Sequence, residues 1–466
     1  MPGQIKGLIP PQKKGPLALV LHTMGYLWQN GGFCMAGDYI ITGGRPLKGT
    51  VKIPAAKNSV LPLLAASLLC SGPVQLGPVP RLADVEQCLA LLQGVGCKAC
   101  WQGTELQVEG VPRWAALPEG PAGRMRASIL FCAPLLARLG QARTVLPGGC
   151  PIGARPVDLH LEGLARMGAK VEQEGQQLTL TAPSGLRGAQ ITLAFPSVGA
   201  TETLLLAAVL ARGETVLRGA AREPEIRDLA DFLNRCGGQV QGAGSSTLRI
   251  QGVRRLTGCR FTPLPDRVAA ATFACACAAA GGRVELTGCA PGLYAPVLET
   301  LEQMGCGVER RPDAAVITRF GRLYGPGRLF TGVYPALATD AAPLLGAAML
   351  CAQGPGSIQD VVFEHRFGCA AGFLALGGRV QVTGRTLWVE PGGVLHGAAV
   401  AAPDLRGGAA LVIAALAAQG TSRVTNTHFM DRGYADFAQK LSALGGQIAR
   451  ETLCTGDGTK KRTSKT

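Results

Sequence analysis

The chain has 466 residues, of which 47% are hydrophobic and 5% aromatic, and its formal net charge at pH 7 is +15. This length exceeds what one hydrophobic core usually supports, so two domains are expected. No apolar run reaches the ~18 residues of a membrane-spanning helix, and the few aromatic residues do not suit a base-stacking nucleic-acid platform. The composition therefore favours small anionic ligands, with neither nucleic acid nor membrane as a partner.

The 16 cysteines are too sparse for a disulfide-stabilised protein of this length. Most of them stand inside apolar runs, where a reduced cysteine packs as a small hydrophobic residue. Cys97 and Cys100 form a lone C-x-x-C motif with no second pair and no nearby histidine, so neither a zinc nor a redox role is expected. The cysteine usage favours a cytoplasmic location.

The N-terminal 34 residues are expected to be a leader. Their apolar part is interrupted by His22 and Gly25, and no small-residue cleavage site follows, so a secretory signal peptide is not favoured. The segment from Asn30 to Met35 is what a purine-rich ribosome-binding sequence and its spacer would encode if they were translated in frame. We hypothesise that translation begins at Met35 and that residues 1–34 are not made.

Six copies of one unit follow in chain order. In each copy a helical stretch ends in apolar residues, then a glycine, then a short strand, and the glycines are Gly96, Gly168, Gly237, Gly305, Gly377 and Gly445. Successive glycines are 72, 69, 68, 72 and 68 residues apart. The near-constant period predicts six structural repeats, with each glycine ending the outer helix of its unit.

Each unit also carries an earlier helix rich in alanine and leucine, which is expected to be buried nearly all round. The six predicted helices are Val60–Leu69, Ile129–Leu139, Thr203–Leu210, Ala269–Ala279, Ala342–Leu350 and Ala409–Ala418. The unit is therefore predicted as strand, buried helix, strand, outer helix and strand. Six units in two sets of three predict an α/β protein with two similar lobes.

Charged residues precede or begin these buried helices. Lys57, Arg126 and Arg406 are cations at predicted helix N-termini, where they oppose the helix dipole. They are expected there if an anion binds between them and the free N–H groups of the helix. Side chains that can cap the helix stand at three other starts, namely Ser197, Asp266 and Asp404. The pattern predicts a polyanionic small ligand between the lobes.

The most distinctive stretch is the glycine-rich turn around Cys150. Arg155 follows five residues later and Asp158 eight residues later. A thiol beside a fixed cation and free backbone N–H groups has a lowered pKa and suits an anionic ligand. On this motif alone, a surface turn with an incidental thiol is equally consistent.

From about Asp38 to Glu451 the chain resembles the UDP-N-acetylglucosamine 1-carboxyvinyltransferase family of enolpyruvyl transferases. The motifs that carry this resemblance occur in family order and are Ala55–Asn58 (AAKN), Met125–Ser128 (MRAS), Pro147–His160 (PGGCPIGARPVDLH), Phe195–Glu202 (FPSVGATE), Ala221–Ile226 (AREPEI), Pro265–Arg267 (PDR), Glu364–Phe367 (EHRF), Asp404–Arg406 (DLR) and Asp431–Tyr434 (DRGY). The Cys150 loop is the most specific of them.

The resemblance implies transfer of the enolpyruvyl group of phosphoenolpyruvate to the 3′-hydroxyl of UDP-N-acetylglucosamine, with release of phosphate. Cys150 matches the family's proton donor to C3 and can also add covalently to phosphoenolpyruvate. Asp340 matches the base, and Lys57 and Arg432 are the other catalytic residues implied. The remaining matched cations are Arg126, Arg155, Arg366 and Arg406.

The resemblance also implies the substrate-binding residues. Besides the cations already named, these are Asn58, Pro156, Val157, Asp158, Leu159, Ser197, Val198, Gly199, Asp340 and Val362. Neither a metal nor a cofactor is implied, because the arginines supply the positive charge. Phosphoenolpyruvate and the sugar nucleotide are the only partners implied, and the oligomeric state stays open, with a monomer compatible.

The family fold is a pair of inside-out α/β barrels, each of three strand-helix-strand-helix-strand units around buried helices, in agreement with the six units. On that fold, residues 57–264 are expected to form the domain with the cysteine loop. Residues 38–56 and 265–453 are expected to form the second domain, and 454–466 a disordered basic tail.

Two other functions remain open. The sister enzyme of this fold transfers enolpyruvyl to shikimate 3-phosphate, but it lacks the Cys150 loop. A non-catalytic paralogue that binds UDP-N-acetylglucosamine is the alternative from another class. It would suit the departures from the family pattern, such as the segment Tyr334–Asp340 and His365, but the matched catalytic residues are all retained.

Overall fold

The computed structural model describes residues 37–148, 152–153 and 156–451, together with the backbone of two short strands before them. Those strands, β1 (Tyr26–Gln29) and β2 (Gly32–Met35), pair as an antiparallel hairpin. The rest of the expected leader and the expected basic tail, 454–466, lie outside the described residues.

The elements between residues 39 and 261 alternate strands with helices. In chain order they are β3 (Tyr39–Thr42), β4 (Leu47–Lys52), α1 (Lys57–Ser67), β5 (Val74–Leu76), α2 (Ala83–Gly94), β6 (Lys98–Gln102), β7 (Glu105–Glu109), α3 (Glu119–Arg124), a 3₁₀ helix (Arg126–Phe131), α4 (Cys132–Leu139), β8 (Gln141–Val145), α5 (Asp158–Arg166), β9 (Lys170–Glu174), β10 (Gln177–Thr181), β11 (Gln190–Thr192), α6 (Val198–Ala208), β12 (Glu214–Arg218), α7 (Pro224–Arg235), β13 (Gln239–Gln241), β14 (Thr247–Gln251) and β15 (Arg260–Phe261).

The second half repeats the pattern. Its elements are α8 (Arg267–Ala280), β16 (Gly282–Thr287), a 3₁₀ helix (Pro291–Tyr294), α9 (Ala295–Gln303), β17 (Gly307–Arg310), β18 (Ala314–Arg319), β19 (Leu323–Tyr324), β20 (Gly327–Phe330), a 3₁₀ helix (Thr339–Ala341), α10 (Ala342–Met349), β21 (Ala352–Gln353), β22 (Gly356–Gln359), α11 (Ala370–Ala375), β23 (Arg379–Thr383), β24 (Thr386–Glu390), β25 (Ala399–Ala401), α12 (Leu405–Ala417), β26 (Thr421–Thr425), a 3₁₀ helix (Thr427–Arg432), α13 (Phe437–Ala443) and β27 (Gln447–Arg450).

Six sheets of similar topology correspond to the six predicted units. Five have four strands, in the orders β15-β5-β7-β6, β11-β12-β14-β13, β4-β16-β18-β17, β20-β22-β24-β23 and β25-β26-β3-β27. In each, a parallel pair is followed by two antiparallel pairings. The sixth, β8-β10-β9, has three strands and a single parallel bridge from Ala116 to Arg143 at its edge. The chain has an α/β fold, as predicted.

The six buried helices are confirmed, but most of them begin earlier than predicted. For example, α6 begins at Val198 rather than Thr203, and α12 begins at Leu405 rather than Ala409. The apolar pattern marks only the buried interior of a helix, whereas the first turn is placed by its cap. Ser197, Asp266 and Asp404 cap their helices with side-chain oxygens, as expected.

The six glycines of the repeat adopt the backbone conformation that helix ends require. Gly96, Gly168, Gly237, Gly305, Gly377 and Gly445 have φ angles of 95°, 97°, 96°, 98°, 87° and 90°. A residue with a side chain is strained at such angles, so glycine directly after the helix end is favoured. The structure therefore confirms that the period found in the sequence marks the ends of the outer helices.

Two hydrophobic cores hold the fold together. One is built from residues between Val60 and Leu256, which we call the first lobe. The other combines residues between Tyr39 and Ile53 with residues from Val268 onward, which we call the second lobe. The chain crosses between them twice, and the two crossing segments are joined by backbone hydrogen bonds from Ala56 N to Leu264 O (2.8 Å) and from Asp266 N to Pro54 O (2.8 Å).

Candidate active site

A cavity of about 690 Å³ is lined by residues of both lobes. It contains most of the residues implied by the resemblance, namely Lys57, Asn58, Arg126, Pro156, Asp158, Leu159, Ser197, Val198, Gly199, Asp340, Val362, Arg366, Arg406 and Arg432. Val157 does not line it; this residue precedes α5 and packs against the core of the first lobe. Cys150 and Arg155 lie outside the described residues.

Asp340 stands between two arginines of the second lobe. Its Oδ1 accepts a hydrogen bond from Nη2 of Arg366 at 2.5 Å, and its Oδ2 accepts one from Nε of Arg406 at 3.2 Å. Burial alone would raise the pKa of Asp340, but Arg406 and Arg366 together hold it well below its usual range. The carboxylate is therefore ionised at neutral pH.

The arginines around Asp340 are themselves buried and held in place. Arg366 is 2% exposed, and its Nε donates to the hydroxyl of Thr339 at 2.9 Å. Arg406 is 3% exposed and lies at the start of α12, and its Nη1 has no hydrogen-bond partner among the described residues. A buried guanidinium with an unsatisfied N–H beside a cavity is suited to an anionic ligand.

Asp84 forms a second carboxylate centre that joins the two lobes. It lies in the first turn of α2 and is 5% exposed. Its Oδ2 accepts from Nζ of Lys57 at 3.2 Å, and its Oδ1 accepts from Nε of Arg432 at 2.9 Å. Burial would raise the pKa of Asp84, but the two cations lower it below its ordinary value. Asp84 therefore holds Lys57 and Arg432 side by side in the cavity wall.

The wall on the first lobe combines helix N-termini with Arg126. Nη2 of Arg126 donates to the carbonyl oxygen of Pro156 at 2.6 Å, which ties the start of one 3₁₀ helix to the segment before α5. α6 begins nearby in the same cavity wall, where Ser197 Oγ accepts from Ala200 N at 3.3 Å. Free N–H groups at the start of a helix favour phosphate groups.

Val362 is positioned by a buried carboxylate of the second lobe. Asp360 is fully buried, and its Oδ1 accepts from the backbone N–H groups of Val362 (2.8 Å) and Phe363 (2.7 Å). The hydroxyl of Thr339 donates to the other oxygen of Asp360. The same turn therefore fixes both Val362 and the residue before Asp340.

An acidic group in the cavity wall was not identified from the sequence. Glu225 is 3% exposed and pairs with Arg267 through two hydrogen bonds of 2.9 and 3.3 Å. Glu202 is 6% exposed, and burial, with Glu225 and Glu223 nearby, raises its pKa well above its ordinary value. These residues stand inside stretches that match the family, but nothing in their spacing distinguishes them from helix-start carboxylates.

The histidine of the Cys150 motif lies in the cavity wall. His160 is 3% exposed, and its Nδ1 lies 2.8 Å from the hydroxyl of Thr203.

Among the residues that the structure describes, no three His, Cys, Asp or Glu side chains are grouped as metal ligands. No helix in the same residues is both long enough and apolar enough to cross a membrane.

The chain is similar to known enolpyruvyl transferases along most of its length. The family described as EPSP synthase (3-phosphoshikimate 1-carboxyvinyltransferase) matches residues 41–441. The UDP-N-acetylglucosamine 1-carboxyvinyltransferase of Finegoldia magna is 43% identical over 409 residues, which cover 87% of this chain and 96% of the relative. That of Acidiphilium cryptum is 44% identical over 411 residues, covering 88% and 98%.

Solved structures show the same fold. The enolpyruvyl transferase NikO from Streptomyces tendae aligns with a TM-score of 0.79 at 27% identity, covering 90% of this chain and all of that chain. An EPSP synthase from Acinetobacter baumannii aligns with a TM-score of 0.69 at 21% identity, covering 89% and 99%, which is evidence of the fold alone. By its sequence and its fold, this chain belongs to the UDP-N-acetylglucosamine 1-carboxyvinyltransferase family of enolpyruvyl transferases.

Proposed function

We propose that this chain transfers the enolpyruvyl group of phosphoenolpyruvate to the 3′-hydroxyl of UDP-N-acetylglucosamine and releases phosphate, the first committed step of peptidoglycan synthesis. The observation that carries this proposal is the cavity in which Asp340, Arg366 and Arg406 face the Asp84, Lys57 and Arg432 group. This concentration of buried cations suits an anionic substrate, and the carboxylate beside them suits a hydroxyl nucleophile.

The cations have a clear role in this reaction. Lys57, Arg366, Arg406 and Arg432 neutralise the phosphate and carboxylate of phosphoenolpyruvate. They also stabilise the charge that develops when the hydroxyl oxygen bonds to C2 and a proton is added to C3. Because Asp84 and Asp340 hold these cations in the cavity wall before substrate binds, the positive charge is already concentrated where the substrate anions bind.

Asp340 is proposed as the base that accepts the proton of the 3′-hydroxyl. Arg366 and Arg406 hold its pKa well below its usual range, which makes it a weak base. Substrate anions compete for the same two arginines, and each hydrogen bond that they take from Asp340 raises its pKa. The carboxylate would therefore become a better base once phosphoenolpyruvate is bound.

Cys150 is proposed as the acid that protonates C3, from its place in the motif that resembles the family. The thiolate left on Cys150 then takes a proton back from C3 as phosphate leaves C2, and the enolpyruvyl ether forms. The sugar nucleotide is proposed to contact Arg126, Arg155 and Asn58, the segment Pro156–Leu159, the segment Ser197–Gly199, and Val362. Helix N-termini in this wall suit its diphosphate.

The proposed architecture is a pair of inside-out α/β barrels with domains 57–264 and 38–56 plus 265–453. The six sheets and the two hydrophobic cores support this division. In the second lobe α8, α10 and α12 pack against one another. In the first lobe α4 and α6 pack together, and α1 packs on the intervening 3₁₀ helix.

Phosphate release tests the function directly. Purified protein is mixed with phosphoenolpyruvate and either UDP-N-acetylglucosamine or shikimate 3-phosphate, and the nucleotide product is identified by mass spectrometry. We expect release only with UDP-N-acetylglucosamine and a fall of at least about 100-fold in Cys150→Ala. Cys100→Ala is the matched control, because Cys100 is an exposed free thiol that does not line the cavity.

The other outcomes select between the alternatives. Phosphate release with shikimate 3-phosphate but not with UDP-N-acetylglucosamine would favour 3-phosphoshikimate 1-carboxyvinyltransferase activity, which the description of the matching family names. No release with either acceptor, from a folded protein that binds UDP-N-acetylglucosamine, would favour a non-catalytic paralogue.

A further inference from the structure

An exposed aromatic side chain lines the candidate active site. Phe195 is 45% exposed and belongs to the cavity lining. Val333 (38% exposed) and Val361 (48% exposed), from the second lobe, line the same cavity. Large apolar side chains left partly in water beside a polar cavity favour a ligand with an apolar or aromatic part.

The backbone around Phe195 restricts where its ring can point. Pro196 follows, so Phe195 is confined to extended backbone conformations. Its carbonyl oxygen accepts a hydrogen bond from the N–H of Ser197 at 2.7 Å, and Ser197 caps α6. A phenylalanine with two side-chain torsions on a fixed helix start loses little entropy when a ligand covers it.

Burial indicates the direction in which a ligand lies in the cavity. Its charged groups are buried, with Arg366 2% exposed, Arg406 3% exposed and Asp84 5% exposed. Phe195, at 45% exposure, belongs to the same cavity lining and lies next to the N-terminus of α6. A ligand that fits this lining has anionic groups at the buried cations, a phosphate near the helix start, and a flat apolar group at Phe195.

We propose that Phe195 stacks on the base of the sugar nucleotide and supplies a large part of its affinity. This rests on the proposed function, and it adds a specificity residue that the resemblance did not imply. Stacking on an aromatic side chain is tolerant of the identity of the base, because every base has a π-face. Phe195 therefore selects a nucleotide over the bare sugar phosphate.

Kinetics and ligand spectra test the proposal together. In Phe195→Ala we expect the KM for UDP-N-acetylglucosamine to rise about tenfold. In Phe195→Tyr it should stay within about twofold of the native value. The KM for phosphoenolpyruvate should be unchanged in both variants. In proton spectra of UDP-N-acetylglucosamine bound to the native protein, the uracil H5 and H6 lines are expected to shift upfield. That ring-current shift is expected to disappear in Phe195→Ala.

A matched control separates stacking from a general loss of surface apolar area. Phe320 is 79% exposed and does not line the cavity, so Phe320→Ala is expected to leave both KM values and the spectra unchanged. N-acetylglucosamine 1-phosphate, which lacks the uridine, is expected to inhibit the native protein and Phe195→Ala equally. Uridine diphosphate is expected to inhibit the variant about tenfold less well.

Three results would overturn the proposal: KM for the sugar nucleotide within twofold of native in Phe195→Ala, an equal rise in both KM values, or an upfield shift that survives the substitution. The spectra need binding but no turnover. A native protein that binds the sugar nucleotide with the expected shift and releases no phosphate would refute the proposed activity and leave the role of Phe195 supported.

Discussion

The Asp84 centre gives the sharpest prediction about the cavity wall. Asp84→Asn keeps the size of the side chain but removes the charge shared by Lys57 and Arg432, which lie 3.2 and 2.9 Å away. Two cations from different lobes then face each other with no carboxylate between them. We expect a less stable protein that binds phosphate more tightly.

The size of the effect follows from burial. Breaking a buried ion pair by removing one partner typically costs about 3–5 kcal/mol. Because the side chains of Lys57 and Arg432 keep 12% and 18% exposure, we expect the lower end, about 3 kcal/mol. At about 2–4 °C per kcal/mol for a lobe of this size, the Tm falls by about 6–12 °C.

The pH dependence of this loss has a definite sign. The pKa of Asp84 is lowered in the folded protein, so its stabilising contribution is present above the unfolded pKa of about 3.9. That contribution disappears only as the pH falls through the folded value. The Tm difference between the native protein and Asp84→Asn should therefore be constant from about pH 5 to 8 and should narrow below about pH 4.

Thermal unfolding with and without inorganic phosphate is the assay. A ligand that binds only the folded state raises Tm, and phosphate should raise it more in Asp84→Asn than in the native protein. Glu162→Gln is the control, since its pair with Arg166 is about half exposed on both sides (59% and 54%) and should change stability by less than about 1 kcal/mol. A Tm equal to native at pH 7, or no added gain from phosphate, would refute the reasoning.

Three further predictions concern carboxylates that the structure places in or beside the cavity. Asp340→Asn should lower phosphate release at saturating substrates by at least about 100-fold, and more than a tenth of native activity would contradict the role of Asp340 as base. Burial raises the pKa of Asp228 to about 6, so the native protein loses stability as the pH rises through 6 and this carboxyl ionises. The Tm of Asp228→Asn minus the Tm of the native protein should therefore be larger at pH 8 than at pH 5. The reverse order would show that the folded protein stabilises the ionised carboxylate instead. Glu225→Gln should lower the free energy of unfolding in urea by about 3 kcal/mol, because it breaks the nearly buried pair with Arg267, and a change below about 1 kcal/mol would mean that solvent already screens this pair.

Much of the fold could be predicted because its repeat is marked by glycines at positions where the backbone tolerates few other residues. Gly237 and Gly305 stand where φ is 96° and 98°, and few other residues are tolerated there. The helix interiors were equally clear, since a helix buried on all sides must be apolar throughout. The first turn of α6 was missed because Val198, Gly199 and Glu202 belong to the cavity wall, where ligand chemistry as well as burial determines the sequence.

The cations of the site could be predicted from their conflict with the helix dipole, as for Lys57 and Arg406. Asp84 could not, because a carboxylate in the first turn of a helix is the usual, dipole-stabilising choice. Its partner Arg432 is also 348 residues away in the chain. Val157 was included on resemblance alone; it packs against the core of the first lobe, and its part in substrate binding stays a prediction.

The positions of β3 and β4 have a consequence for the order in which the chain can fold during synthesis. Both strands are made before the first lobe, yet β4 pairs with β16 and β3 pairs with β26 and β27. The buried core of the first lobe is built from residues 60–256, so this core can assemble once β15, which ends at Phe261, has been made. β3 and β4 therefore wait for their partners in the second lobe while the first lobe folds, and the second lobe is completed only when the last strand leaves the ribosome.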